Sequence, residues 1–264
     1  LMGPNPQDWS VCWFPVTHWS TGSVRADDAY KGGGGTGDGW ETHRLETFTL
    51  DATDGVTDSK WYHLCVSIQR CNSALRLLNI CTEEQIPLRN RRIAEMKVLR
   101  AHYFFEMQRM FNLIPWYDET MDDATVQTTP NNEYSREELL DKIAEQIRGS
   151  IDNLPESQPE VGRVNQFMAK AYLAKVLLYR AYEQDPQTHA IVNINKEVLR
   201  EVVSLCTQIR TAQKYDLFEN FQDLINAFQT DADGLPVADY QSLPDFGQVT
   251  IEGDKAIITN YDHS

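Results

Sequence analysis

Positive charge is scarce in this sequence of 264 residues, in which 24 Lys and Arg stand against 39 Asp and Glu for a formal net charge of −15. Proteins that bind the phosphate backbone of nucleic acids carry basic patches, so this charge argues against a nucleic-acid partner. The basic residues cluster only mildly, and we expect that cluster to be a solvated surface beside a helix. It consists of Arg89, Arg91, Arg92, Lys97 and Arg100.

Long apolar runs are also missing. No stretch approaches the ~18–20 continuous apolar residues that a membrane-spanning helix needs. The first residues, LMGPNPQDW, have neither the basic nor the apolar segment of a signal peptide. With 41% hydrophobic residues, the composition is that of a folded globular protein.

The five cysteines are few and odd in number, and they show no CxxC or Cys/His spacing of the kind that binds zinc. Cys65 and Cys71 fall on different faces of a predicted helix. We therefore expect free, buried thiols and no metal site.

Motifs that carry catalysis are absent as well. The glycine run Gly32–Gly35 lacks the lysine that follows the last glycine of a phosphate-binding loop, so we expect a surface loop. Asp231 and Asp233 lack the remaining ligands of a calcium loop. The sequence has no HExxH and no GxSxG motif. We predict a protein that is not an enzyme and that needs no cofactor.

The chain divides by texture into three regions, which we predict to form a single domain over residues 1–264. Residues 1–59 are rich in loops and aromatic side chains, residues 60–228 show successive helical patterns, and residues 229–264 are irregular. A hairpin turning at Gly253-Asp254 is predicted in the last region. The predicted helices cover about residues 60–79, 88–114, 135–154, 165–183, 195–209 and 217–228.

The second of these helices carries the strongest pattern. Its apolar side chains recur at three- and four-residue steps and form one broad face, with Lys97, Arg100 and Arg109 off that face. Its four Phe and Tyr side chains are more than a surface helix can bury, so it must lie between other helices. The next helix begins with a capping box at Ser135 and Glu138. This pattern predicts an all-α fold of TPR-like helical hairpins, with long irregular aromatic and glycine-rich loops.

Aromatic side chains in the loop-rich region suggest ligand binding. They lie in non-periodic sequence, where helix or strand propensity does not require them. Flat rings stack on the C–H faces of sugars, and nearby Asp, Asn and Lys bind hydroxyl groups. The alternative is that these rings pack the loops onto the helices. They are Trp9, Trp13, Trp19, Tyr30 and Trp40.

Several motifs of the chain occur in the order typical of one protein family. The segment RIAEMKVLRAHYFFEMQRMFNLIPW contains the pattern A-E-x-x-x-L-R-A-x-x-Y-F followed by a proline stop, and it resembles a helix of the SusD/RagB family of outer-membrane nutrient-binding lipoproteins. VRADDAYKGGGG, WYHLCVSIQRCNSAL, the helix ending in Asn-Leu-Pro and GRVNQFMAKAYLAKVLLY match further family segments. The matching residues of the first motif are Ala94, Glu95, Leu99, Arg100, Ala101, Tyr103, Phe104, Phe111, Asn112 and Pro115.

The resemblance implies a location at the cell surface of the outer membrane, through a lipid anchor that is not present in this chain. It also implies a SusC-like TonB-dependent transporter as partner, to which a captured oligosaccharide or peptide is passed without catalysis. Family members are usually longer, so we expect the N-terminal part of a protein or an incomplete chain. Trp40, Tyr30 and Asp38 follow Asp27-Asp28 in the loop that the family uses, and we expect them near the ligand.

A second reading remains open from the residues. A TPR-like stack also serves protein–protein adaptors, which would bind a protein in a groove and have no glycan affinity. A glycoside hydrolase would need a positioned pair of carboxylates, and the sequence shows none.

Overall fold

The computed structural model describes residues 19–51, 54–160, 162–216, 248–252 and 255–259. Helices dominate this part of the chain. A π-helical turn (Trp19–Val24) comes first, and a 3-10 turn (Ile151–Asn153) follows the fifth helix. The helices are α1 (Trp40–Glu46), α2 (Gly55–Ile80), α3 (Arg89–Phe111), α4 (Asp123–Thr128), α5 (Arg136–Arg148), α6 (Gln166–Ala181) and α7 (Lys196–Thr211), and the strands are β1 (Tyr182–Gln184), β2 (Ile191–Ile194), β3 (Gln248–Glu252) and β4 (Lys255–Thr259).

The long helices form a stack in which each packs against the next along the chain. Helix α2 packs against α3, α3 against α5, α5 against α6 and α6 against α7. One apolar core runs through these contacts, because the inward stripe of each helix meets the stripe of its neighbour. This order confirms the predicted all-α, TPR-like fold.

Helix α3 lies inside the stack, as its aromatic content predicts. Phe104 and Phe105 are completely buried. The indole of Trp116 stacks on the Phe104 ring, with centroids 4.5 Å apart, and Trp61 of α2 meets Phe111 edge-on at 4.9 Å. The helix ends at Phe111, three residues before the predicted stop, because Asn112 takes a positive φ of 61° that breaks the helical path.

The basic cluster on α3 is not the solvated surface that the sequence suggested. Arg100 is only 3% exposed. Its guanidinium donates to the Asn72 side chain at 2.6 Å and to the Gln146 side chain at 2.8 Å, and it pairs with the Glu119 carboxylate. Charged side chains are buried when other elements supply partners, and those elements are distant in sequence.

Glu95, earlier on α3, is another charged residue that is buried with partners from a different part of the chain. Its carboxylate is 3% exposed and receives a bidentate pair of hydrogen bonds from Arg163, both of 3.0 Å. Arg91 and Arg92 also lie within 3.5 Å of it. These arginines therefore hold the start of α3 and the segment before α6 together around one buried acid.

Helix α5 begins as predicted and ends early. The Ser135 hydroxyl accepts the Glu138 N–H, while the Glu138 carboxylate accepts the Ser135 N–H at 2.8 Å, which confirms the capping box. The helix was expected to reach residue 154 but stops at Arg148. The Ser150 hydroxyl donates to the Gln146 carbonyl at 2.7 Å, and the chain tightens into the 3-10 turn.

Helix α6 also ends before its predicted limit, at Ala181, because the chain turns into a two-stranded hairpin that the sequence did not reveal. Strands β1 and β2 are antiparallel. Glu183 in β1 accepts hydrogen bonds from Asn193 at 2.7 Å and from Arg180 at 2.8 Å. These bonds, with a further one from Asn195, lower the pKa of Glu183 to about 2.

Helix α7 starts at the predicted Asn195 cap, whose side chain accepts the Val198 N–H at 3.2 Å. The described residues up to Ala212 form one compact unit, and those after it belong to a second. In the second unit β3 and β4 pair antiparallel with Glu252 opposite Lys255, as the predicted hairpin requires. The predicted helix over 217–228 and the Asp231–Asp233 segment lie outside the described residues.

Four cysteines lie in the described part of the chain, and all are free, as expected. Their burial is less uniform than predicted, because Cys206 is exposed on α7. Cys71 is buried in α2, and burial raises the pKa of its thiol to about 11.

Candidate ligand-binding site

The glycine-rich loop that precedes α1 is built on left-handed backbone. Gly32, Gly33, Gly35 and Gly39 have φ values of 70°, 78°, 126° and 65°. Residues other than glycine rarely adopt these backbone angles, which explains why glycine occupies these positions of the loop. The loop ends where Gly39 passes directly into α1, so Trp40 is the first residue of a helix and not a loop residue as expected.

Lys31 closes this loop from inside. Its side chain donates to the carbonyl oxygens of Gly32 at 2.8 Å and Gly35 at 2.9 Å, and also to that of Asp38. Its own backbone N–H donates to the Glu46 carboxylate of α1 at 3.1 Å. The lysine thus serves the loop itself, which agrees with the rejection of a phosphate-binding loop.

Asp38 supports the loop from the other side. One of its carboxylate oxygens accepts the Gly34 N–H at 2.8 Å. A side chain on Gly33 would lie 2.4 Å from the same oxygen, so the carboxylate occupies the space that the glycine leaves. Its second oxygen has no hydrogen-bond donor among the described residues and is open to a ligand hydroxyl group.

Two of the sequence-predicted residues present bare rings to solvent at the two ends of this loop. Tyr30, which precedes Lys31, is 77% exposed, and Trp40, which follows Gly39, is 51% exposed. Exposed aromatic side chains can form part of a ligand-binding surface. Their exposure favours a ligand-facing role over packing onto the helices, and that role stays a prediction. Trp9 and Trp13 lie outside the described residues, and of Trp19 only the backbone is described.

Arg44 fixes helix α1 in place. The guanidinium pairs with the buried Asp54 carboxylate at 2.9 Å and with Asp51 at 3.0 Å, and it donates to the Thr49 carbonyl at 2.6 Å. Its central carbon also lies 5.9 Å from the centre of the Trp40 ring. The arginine thus ties α1 to the start of α2 and supports the ring beside it.

A third exposed ring on the same segment was missed from the sequence. Phe48 is 61% exposed and follows α1 with a positive φ of 58°. The Arg25 guanidinium lies 4.2 Å from the ring centre and donates to the Leu45 carbonyl at 3.2 Å. The sequence feature that could have indicated Phe48 is an aromatic residue between two threonines, outside any apolar periodicity.

A cleft of about 470 Å³ lies elsewhere, between α3, α5 and the segment after α3. Three of its four carboxylates are paired with arginines of the protein: Glu119 with Arg100, Asp141 with Arg180 at 2.9 Å, and Glu145 with Arg148. A polar cleft in which most of the charged groups are engaged within the protein offers less to a ligand than the open rings do.

Asp118 and Lys142 also line that cleft, and both interact with other groups of the protein. Burial raises the pKa of Asp118, but hydrogen bonds from Thr120 and the nearby cations outweigh it, and the pKa is lowered overall. The Lys142 ammonium lies 4.3 Å from the Tyr134 ring centre and 5.3 Å from that of Trp116. Both groups are therefore engaged with the protein.

Within the described ranges, no group of His, Cys, Asp or Glu side chains is arranged to hold a metal ion. Of the helices in the same ranges, none combines the length and apolarity needed to cross a bilayer.

Comparisons by sequence find no matching protein-family model and no matching curated protein. Solved structures do match. A laminarin-binding SusD-like protein is 25% identical, with a TM-score of 0.58, over 74% of this chain. Surface glycan-binding protein A from Bacteroides thetaiotaomicron, in complex with laminarihexaose, is 19% identical, with a TM-score of 0.61, over 80%. A structure with xylogluco-oligosaccharide is 23% identical, with a TM-score of 0.61, over 78%.

These matches identify the helical stack as the SusD-like fold. The three structures are named for glycans, not for a catalytic activity. The present chain spans 39–40% of the length of each of them.

Proposed function

We propose that this chain, which has the SusD-like fold, binds oligosaccharide at the glycine-rich loop before α1. The single observation that carries the proposal is the exposure of Tyr30 and Trp40 on either side of a loop held rigid by Lys31 and Asp38. The glycans in the structures with this fold support oligosaccharide as the ligand class.

The chemistry of the loop suits a sugar. The faces of Tyr30 and Trp40 carry partial negative charge, which attracts the slightly positive C–H face of a pyranose ring. The open oxygen of Asp38 accepts a hydrogen bond from a hydroxyl group. Because the backbone is fixed before the ligand arrives, little ordering entropy opposes binding.

The proposal extends to the biology that the SusD-like fold suggests. The protein acts at the cell surface, held to the outer membrane by a lipid anchor. It captures a glycan and passes it to a SusC-like TonB-dependent transporter without chemical change. The fold supports this role, and the transporter is the partner to test for.

Isothermal titration of the chain with laminarihexaose and with a xylogluco-oligosaccharide tests the proposal. Trp40→Ala and Tyr30→Ala each remove one stacking surface, and we expect each to weaken binding of the better glycan about tenfold. Tyr62→Ala is the matched control, since Tyr62 is also an exposed ring (48%) but belongs to α2 and not to the loop. Unchanged affinity in both loop variants would sink the residue assignment.

The competing function is a TPR-like adaptor that binds only protein. The helical stack itself favours it, because such stacks present extended surfaces to partner proteins. Recovery of a TonB-dependent transporter by the tagged chain, together with glycan affinity, supports the first function. Recovery of a different protein, with no affinity for either glycan, supports the adaptor.

A further inference from the structure

The loop from Lys31 to Asp38 is rich in glycine and therefore costly in entropy to order. Glycine loses more conformational freedom on folding than any other residue. The loop is exposed from Gly33 onward, so burial of apolar surface does not hold it. Some other interaction must fix the left-handed backbone at Gly32, Gly33 and Gly35.

Lys31 provides that interaction, and it is the buried residue of the loop, only 8% exposed. Its ammonium meets carbonyl oxygens from both ends and from the middle of the loop: Gly32, Gly35 and Asp38. Hydrogen bonds from a charged donor are roughly twice as strong as those between neutral groups. Hydrogen bonds from one ammonium group to three carbonyl oxygens therefore stabilise the loop in the absence of an apolar core.

We propose that Lys31 is the positioning residue of the ligand loop and sets the spacing of the two rings. Tyr30 is the residue immediately before it. Trp40 lies two residues after Asp38, whose carbonyl oxygen the ammonium contacts. The side chain of Lys31 therefore bridges the two points from which the rings project. This inference rests on the proposed function for its link to glycan binding, but its structural half stands on the loop alone.

The test measures loop closure and binding separately on the chain. Asp-N endoproteinase cuts before Asp38, and mass spectrometry follows that cut, while titration with laminarihexaose and the xylogluco-oligosaccharide follows binding. In Lys31→Met, which keeps the bulk and loses the donors, we expect cleavage to rise and affinity to fall, each by about tenfold. Lys196→Met, on an exposed lysine at the start of α7, controls for loss of charge.

Chemical rescue separates positioning from general stability. Lys31→Ala removes the carbons and nitrogen that propylammonium supplies, so we expect millimolar propylammonium to restore slow cleavage and binding. Tetramethylammonium carries the same charge without an N–H donor and should not rescue. A merely structural loss, such as a looser helical stack, would respond to neither cation.

The outcomes test the role of Lys31 in loop closure separately from its role in glycan binding. Faster cleavage and weaker binding in Lys31→Met, with rescue by propylammonium only, support the inference. Cleavage unchanged in Lys31→Met overturns it, as does an effect matched by Lys196→Met. If the unmodified chain binds neither glycan while Lys31→Met is cleaved faster, the proposed function fails and the role of Lys31 in loop closure stands.

Discussion

Replacement of the buried Arg100 by methionine tests how α3 is held in the stack. The substitution keeps an unbranched side chain of similar length and removes every donor. It strands the Glu119 carboxylate, whose side chain is 13% exposed, and the side-chain oxygens of Asn72 and Gln146. We expect a large loss of stability from this one change.

The magnitude follows from the partners left behind. Breaking a buried ion pair by removal of one member costs about 3–5 kcal/mol. Each neutral acceptor left without a donor adds about 1–3 kcal/mol when no water reaches it. The cleft beside Glu119 admits water, which offsets part of that cost. We therefore expect Arg100→Met to lower the free energy of unfolding by about 3 kcal/mol.

Urea unfolding followed by circular dichroism at 222 nm measures this difference from the shift in midpoint at constant slope. Lys97→Met is the matched control, because Lys97 is a half-buried cation one turn earlier on α3 with no carboxylate oxygen within 4 Å in the described part of the chain. We expect the control to change stability by less than about 0.5 kcal/mol.

A double-mutant cycle assigns the loss to the ion pair. Arg100→Met, Glu119→Gln and the double variant should give a coupling energy of about 1–3 kcal/mol. An Arg100→Met variant as stable as Lys97→Met would refute the reasoning. A coupling energy near zero would also refute it, because the stability that Arg100 contributes would then not depend on Glu119.

Three further predictions concern local features. Ser135→Ala should lower the free energy of unfolding by about 1 kcal/mol in urea titrations, because it removes the capping-box hydroxyl. Gly33→Ala should weaken glycan binding in titrations, because the added carbon meets the Asp38 carboxylate at 2.4 Å; Gly37→Ala, with nothing within 4 Å, should not. The lowered pKa of Glu183, about 2, means that its hydrogen bonds to two asparagines and an arginine stabilise the fold above its unfolded pKa, and that this stability is lost as the pH falls toward 2. Glu183→Gln should flatten the dependence of stability on pH between about 4.5 and 2, and an unchanged acid titration would contradict this.

Helices with strong local signals were predictable to within a few residues. The capping box at Ser135 and the cap at Asn195 are formed by residues within one turn of each other, so the sequence contains both partners. Helix ends were less predictable. Helix α5 stops at Arg148 because of a side chain-to-carbonyl bond at Ser150, which an apolar stripe does not reveal.

The sequence indicates candidate residues for the site, which stay a prediction, but it does not show how the loop that carries them is built. Aromatic rings in non-periodic sequence pointed to Tyr30 and Trp40, and their exposure agrees with that expectation. The sequence predicts Asp38 as a ligand residue, and in the structure its carboxylate also accepts a hydrogen bond from the Gly34 N–H. The role of Lys31 depends on three carbonyl positions that only the folded loop brings together.

The sequence by itself determined the helical stack, because periodicity and caps are properties of neighbouring residues. It also determined that the glycine-rich loop is not a phosphate-binding loop, since the required lysine is absent. Only the tertiary structure decided which charged residues are buried. Arg100 finds Asn72 at a separation of 28 residues and Gln146 at 46, and no local pattern records such partners. A charge off the apolar face is solvated or buried according to what packs over it.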